Sequence, residues 1–178
     1  MRRFIIMTLI PISLTTSGCG NHTYTTLHGI DVYCQKEVFC WAQEDVEEAT
    51  EAFLKELGFG SEQEEAREID HEISIEVHPG VFPCNHGGRR IHCRGTYQEN
   101  DFGKYMHLAY TECIADSSIF HEYAHWHQKQ YYGDGDGDHS NERFFPEACD
   151  RSKACQDDSV VSRSSEITAR RVGCEEAP

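Results

Sequence analysis

The chain opens on a basic pair, Arg2 and Arg3, and a mainly apolar run over residues 4–14; after that its hydrophobic residues recur in patterns. The opening run is too short to cross a bilayer, which takes about 20 residues, and has the length of a signal-peptide core. Over residues 43–57 the apolar positions Val46, Ala49, Phe53 and Leu57 recur three and four apart, with Glu44, Glu47, Glu48, Glu51 and Glu56 around them. This spacing predicts an amphipathic helix, stopped by Gly58. Ile73, Ile75 and Val77 alternate with Ser74 and Glu76, the two-residue period of a strand buried on one face, and Pro79-Gly80 ends it. Residues 90–97 and 105–111 are two further candidate strands. Asp116, Ser117 and Ser118, whose side chains suit the free amides of a helix start, precede Ile119, Phe120, Tyr123, Ala124 and Trp126 at helical spacing. A second helix is therefore expected over residues 117–131, with Gly133 just past its end. Residues 20–33 are polar and show no sustained period, so they are expected to be a tether. The expected class is α+β.

Composition narrows the setting. The chain has 178 residues, enough for one domain, with 16 Lys+Arg against 31 Asp+Glu and a net charge of −15. Such a chain is repelled by phosphate backbones, which argues against a nucleic-acid partner. It contains 9 cysteines, a density that fits a disulfide scaffold outside the cytoplasm. Thr16-Ser17-Gly18-Cys19 closes the apolar run and resembles the lipobox of bacterial lipoproteins, with Thr16 where Leu is usual. Residues 1–18 are then a cleaved lipoprotein signal peptide, Cys19 the lipidated residue, residues 19–33 a lipid-anchored tether and residues 34–178 the domain. The alternative is ordinary secretory cleavage near Gly18. Gly20 after the cysteine resembles the pattern of lipoproteins sent to the outer membrane, with the lipid as the sole membrane attachment. Setting Cys19 aside leaves an even set, Cys34, Cys40, Cys84, Cys93, Cys113, Cys149, Cys155 and Cys174. Eight cysteines allow 105 pairings. Short spacings favour Cys34 with Cys40, Cys84 with Cys93 and Cys149 with Cys155, which leaves Cys113 for Cys174.

The chemistry is concentrated in the second helix. It carries His121-Glu122-Tyr123-Ala124-His125, an H-E-x-x-H pattern. Histidines four apart project from one helical face one turn apart, so both imidazoles reach a single Zn(II), and Glu122 stands beside its water. His127 points about 200° around the helix from His125 and belongs to another surface.

The order of amphipathic helix, strands and a helix carrying HEYAH resembles the zincin metallopeptidases, in their short bacterial lipoprotein form, over residues 43–147. The resemblance implies an N-terminal helix, a small mixed sheet and an active-site helix beneath it, stapled here by disulfides. The metzincin extension is absent, because Gln128 and Tyr131 stand where its Gly and third His belong. A catalytic zinc takes three protein ligands and one open position, so a third ligand is required. His139 is the first candidate. The run over residues 133–139 resembles a G-D-x-D-x-x-H element that follows H-E-x-x-H in some short bacterial lipoproteins. Glu147 is placed like a gluzincin carboxylate and Asp134 like an aspzincin ligand. The resemblance implies a zinc-dependent peptidase with Glu122 as general base. It also implies a peptide or protein substrate paired along an edge strand, expected near residues 105–111. Tyr131, Tyr132 or Arg143 would supply the transition-state donor.

Other chemistries fit less well. Asp134, Asp136 and Asp138 alternate like a calcium loop, but His139 and Phe145 occupy the positions where an EF-hand needs Gly and Glu. His71, His78, His86, His92 and His107 lack paired spacing and are expected to be surface or hydrogen-bonded residues. Two further function classes remain: an inactive zincin-like envelope lipoprotein acting as a binding module, and a cross-linked structural lipoprotein in which HEYAH is accidental. Oligomeric state is not legible.

Overall fold

A computed structural model of the chain describes residues 22–58, 73–101, 103–133, 139–141, 143–145 and 159–174. Expectations for the leader, Cys19, His71, Asp134, Asp136, Asp138, Glu147 and the Cys149–Cys155 pair lie outside the described residues. The class is α+β. In chain order the elements are β1 (His22–Thr25), β2 (Asp31–Cys34), α1 (Gln43–Glu56), β3 (Ile73–His78), β4 (Phe82–His86), β5 (Arg89–Cys93), β6 (Gly95–Asn100), β7 (Gly103–Ala109), α2 (Ile119–Tyr132) and α3 (Val160–Val172).

Five strands form one sheet in the order β1-β2-β3-β7-β6, and β4 and β5 form a separate hairpin. The three central strands are parallel, and the two outer ones, β1 and β6, run antiparallel to their neighbours. Along β3, Ile73, Ile75 and Val77 are buried and the residues between them are not. Val32, Cys34, Met106 and Leu108 continue that apolar face, and α1, α2 and Val160 of α3 pack on it through Val46, Phe53, Phe120, Tyr123 and Trp126. Phe53 and Tyr123 stack with centroids 5.3 Å apart, which joins α1 to α2. Hydrophobic burial on this one face is the main force holding the layers together.

Both predicted helices are present, the first from Gln43 as expected and the second with a shifted start. Gly58 and Gly133 follow α1 and α2 in left-handed backbone, φ 89° and 74°, where a Cβ would be strained. The second helix begins at Ile119 rather than residue 117, because residues 114–116 form a separate 3₁₀ turn. Ser117 Oγ accepts the Ile119 N–H at 3.2 Å, so a residue of the expected cap cluster does meet a free amide.

Three expectations change. The segment expected as a tether is paired into the sheet from His22 onward. Ile30, Val32 and Cys34 are fully buried, and Tyr24 donates to the Trp41 carbonyl at 3.1 Å. Residues 90–97 are two strands, since Arg94 falls between the end of the hairpin and the start of β6. The strand near residues 105–111 lies inside the sheet as β7, and the edge is β6. Helix α3 was not anticipated. Its buried residues are Val160, Ser164 and Thr168, three positions spaced four apart of which two are polar, a stripe that leaves little hydrophobic signal.

Disulfides join Cys34 to Cys40 and Cys84 to Cys93, as short spacing suggested, and Cys113 to Cys174, the pair left as remainder. The last ties the end of α3 to the turn that precedes α2. Among the described residues no helix is long and apolar enough to cross a membrane.

Because Phe53 is buried at the α1–α2 contact, Phe53→Ala is expected to lower unfolding free energy by about 3–5 kcal/mol. Leu27→Ala, at a side chain 83% exposed, should change it by less than about 0.5 kcal/mol. Urea unfolding of the disulfide-intact protein checks both.

Candidate metal centre

Helix α2 places His121 and His125 one turn apart, and their Nε2 atoms are 3.2 Å from each other. His139 arrives from beyond the end of the helix, with its Nε2 3.2 Å from that of His125. The donor atoms of all three rings lie within 4.8 Å of one another. Two nitrogens bound to one tetrahedral zinc at its usual bond length are about 3.3 Å apart, so the 3.2 Å spacing matches a shared cation. The set supplies three imidazole nitrogen donors, a number that leaves a tetrahedral ion one open position. Of the candidates for third ligand, His139 is brought to the pair.

The supports of this cluster come from three places. The Phe145 ring lies against all three imidazoles, with centroids 5.1 Å from His121 and 4.8 Å from both His125 and His139. Asn141 donates to Gln128 Oε1 of α2 at 3.2 Å, and its carbonyl accepts the Phe144 and Phe145 amides. These bonds pin the segment to α2. His139 itself has φ 56°, the one positive value at a non-glycine among the described residues. Left-handed backbone at such a residue costs on the order of 1 kcal/mol and persists where surrounding contacts hold it.

Burial sets the charge state of the site. His121 is held down from 6.5 to about 4, chiefly by desolvation and then by the neighbouring His125 and His139, so its ring is neutral at pH 7 and free to ligate. Glu122 is 3% exposed. Desolvation pushes its carboxyl up from 4.5 to about 8, and the Tyr97 backbone N–H, which donates to it, works in the opposite direction. That contact joins α2 to the edge strand β6.

The approach of β6 is possible because residue 95 is glycine. A Cβ there would stand 2.5 Å from Glu122 Oε1 and 2.6 Å from Ser118 Cβ, closer than packed atoms sit. Beside this contact opens a cleft of about 520 Å³. Its walls are residues 95–99 of β6, Asn85 and His86 of the hairpin, Lys129, and the cluster with Glu122. Tyr131, Tyr132 and Arg143, expected as donors, do not line it. Arg143 instead donates to the Leu57 carbonyl at 3.4 Å and lies over the Phe144 ring. His127 is buried outside the cluster, stacked on Tyr131 with centroids 4.5 Å apart.

Gly95, Tyr97, Asn141 and Phe145 were not singled out from the sequence. Gly95 had a faint signal, a glycine interrupting an alternating stretch, which marks a close backbone approach. In comparison with known proteins, no family model, no curated protein and no solved structure matches the chain. The functional case therefore rests on these residues alone.

Gly95→Ala is expected to destabilise the fold by about 1–3 kcal/mol through overpacking, measured by urea unfolding. A pH test follows from Glu122. Its folded value of about 8 exceeds 4.5, so its contribution to stability is full below pH 4.5 and is lost as the pH rises to 8. Glu122→Gln removes that loss. In metal-free protein the variant should unfold at higher urea than wild type at pH 8, and the difference should shrink towards pH 4.5.

Proposed function

We propose that the protein is a zinc-dependent peptidase of zincin type, exported and held by a lipid on Cys19 at the outer membrane of a bacterium. His121, His125 and His139 hold Zn(II), and Glu122 is the general base. The observation that carries this reading is the convergence of three imidazole nitrogens at 3.2 Å spacings beside a buried carboxyl on the same helix. When bound, the zinc supplies Lewis acidity for the scissile carbonyl and lowers the pKa of a water.

The chain's own groups do the rest. Glu122 removes the water proton and returns it to the departing amine, a transfer worth about 10²–10⁴-fold in rate. The Tyr97 N–H fixes the carboxyl against β6 so that the proton is passed within one bound geometry. The edge position and antiparallel run of β6 suit an extended peptide, which adds as a further strand along the cleft between β6 and the hairpin. Asn85, His86 and Lys129 then surround the substrate's side chains and carbonyls.

Purified full-length protein should cleave members of an unbiased peptide library, with cleavage stopped by a chelator and restored by Zn(II). Glu122→Gln should keep the zinc of this site and lower the cleavage rate by at least about 10²-fold. His125→Ala should lose both the activity and one equivalent of metal. Zinc retained with no library member cleaved would replace the peptidase by a metal-binding envelope lipoprotein. Zinc content unaffected by His121→Ala and His125→Ala would make HEYAH accidental.

A further inference from the structure

The parallel pairing of β3 and β7 sets Glu76 opposite His107 and His78 opposite Ala109. On both strands the alternate residues Ile75, Val77, Met106 and Leu108 are buried in the core. Glu76, His78 and His107 therefore share the other face of the sheet. There His107 Nδ1 lies 3.1 Å from Glu76 Oε2 and 3.3 Å from His78 Nε2, and His78 Nε2 is 3.8 Å from Glu76 Oε1. All three donor atoms fall within 4.8 Å of one another.

We propose that Glu76, His78 and His107 form a second binding site for a divalent transition-metal ion. Two imidazoles and one carboxylate are an N₂O donor set, which suits zinc and its neighbours and not calcium or magnesium, which take oxygen. A proton on His107 Nδ1 can serve Glu76 and His78 only as a divided hydrogen bond. A cation about 2.1 Å from each donor satisfies all three groups at once.

The surroundings hold the donors in place. Gln35 donates to Glu76 Oε1 at 2.8 Å and orients the carboxylate. The Phe82 ring stacks on His78, centroids 4.2 Å apart and planes 21° apart, and fixes the imidazole plane. Such outer contacts set ligand orientation at metal sites. The cluster opens into a cleft of about 530 Å³ bounded by Gln35, residues 79–84 and Gln98. That space admits water to complete the coordination. Gln98 lines both clefts, so the two sites are neighbours across β6. A cation here ties β3, β7 and the hairpin through Phe82.

The test uses full-length, disulfide-intact protein stripped with a chelator and dialysed against buffered Zn(II), with bound metal counted by mass spectrometry. The expected count is two equivalents in wild type, one in His107→Ala or Glu76→Gln, one in His125→Ala, and none in His107→Ala combined with His125→Ala. Zn(II) should also raise the melting temperature of His125→Ala, and Ca(II) should not. His107→Gln, which keeps polarity and size, and circular dichroism in chelator separate loss of the site from loss of the fold. The proposal is overturned if His125→Ala retains no zinc, or if His107→Ala, folded as wild type, retains the wild-type count. Failure of the tri-histidine site appears separately, as a His125→Ala count equal to that of wild type.

Discussion

Three imidazole nitrogens pointed at one spot are the constraint on which the rest of the candidate site turns. With His121 neutral and the donors 3.2 Å apart, lone pairs and at most a few protons face one another in a half-buried space. One tetrahedral dication would hold three imidazole nitrogens at this separation. The supports run in the same sense. Phe145 walls the rings, Asn141 pins the approach of His139, and left-handed backbone at His139 is tolerated where other contacts hold it.

A second constraint is the contact of α2 with the sheet edge. Gly95 lets β6 pass within touching distance of Ser118 and Glu122, and the Tyr97 N–H then meets the Glu122 carboxyl. The same contact buries Glu122 and makes its charge costly, so the state of the carboxyl depends on what positive charge stands close by. Position and electrostatics therefore come from one packing event. The cleft beside it is bounded by an antiparallel edge strand and a disulfide-closed hairpin, two walls for a site carried by α2 and by His139 beyond its end.

What could be seen in the chain was what local periodicity records. The stripe Val46, Ala49, Phe53 announced α1, the alternation from Ile73 to Val77 announced β3, and the spacing of His121 and His125 follows from helix pitch. The hidden features depend on partners distant in sequence. Strands β1 and β2 are four residues each, and β2 pairs with β3 some forty positions later. Helix α3 buries Ser164 and Thr168, which a hydrophobic pattern does not register. Glu76 and His107 become neighbours only through the register of β3 on β7, which nothing in their local sequence encodes. His139 stood out by residue type; Asn141, which ties the segment beside it to α2, gave no signal of its own.

The central claim concerns the atoms around one ion, and X-ray absorption at the zinc edge addresses it most directly. The measurement is made on full-length His107→Ala loaded with one equivalent of Zn(II), so that a single site reports. The account predicts three imidazole nitrogens and one further light atom at about 2.0–2.1 Å. Sulfur at about 2.3 Å, fewer than three imidazoles, or no zinc retained by folded protein would contradict it.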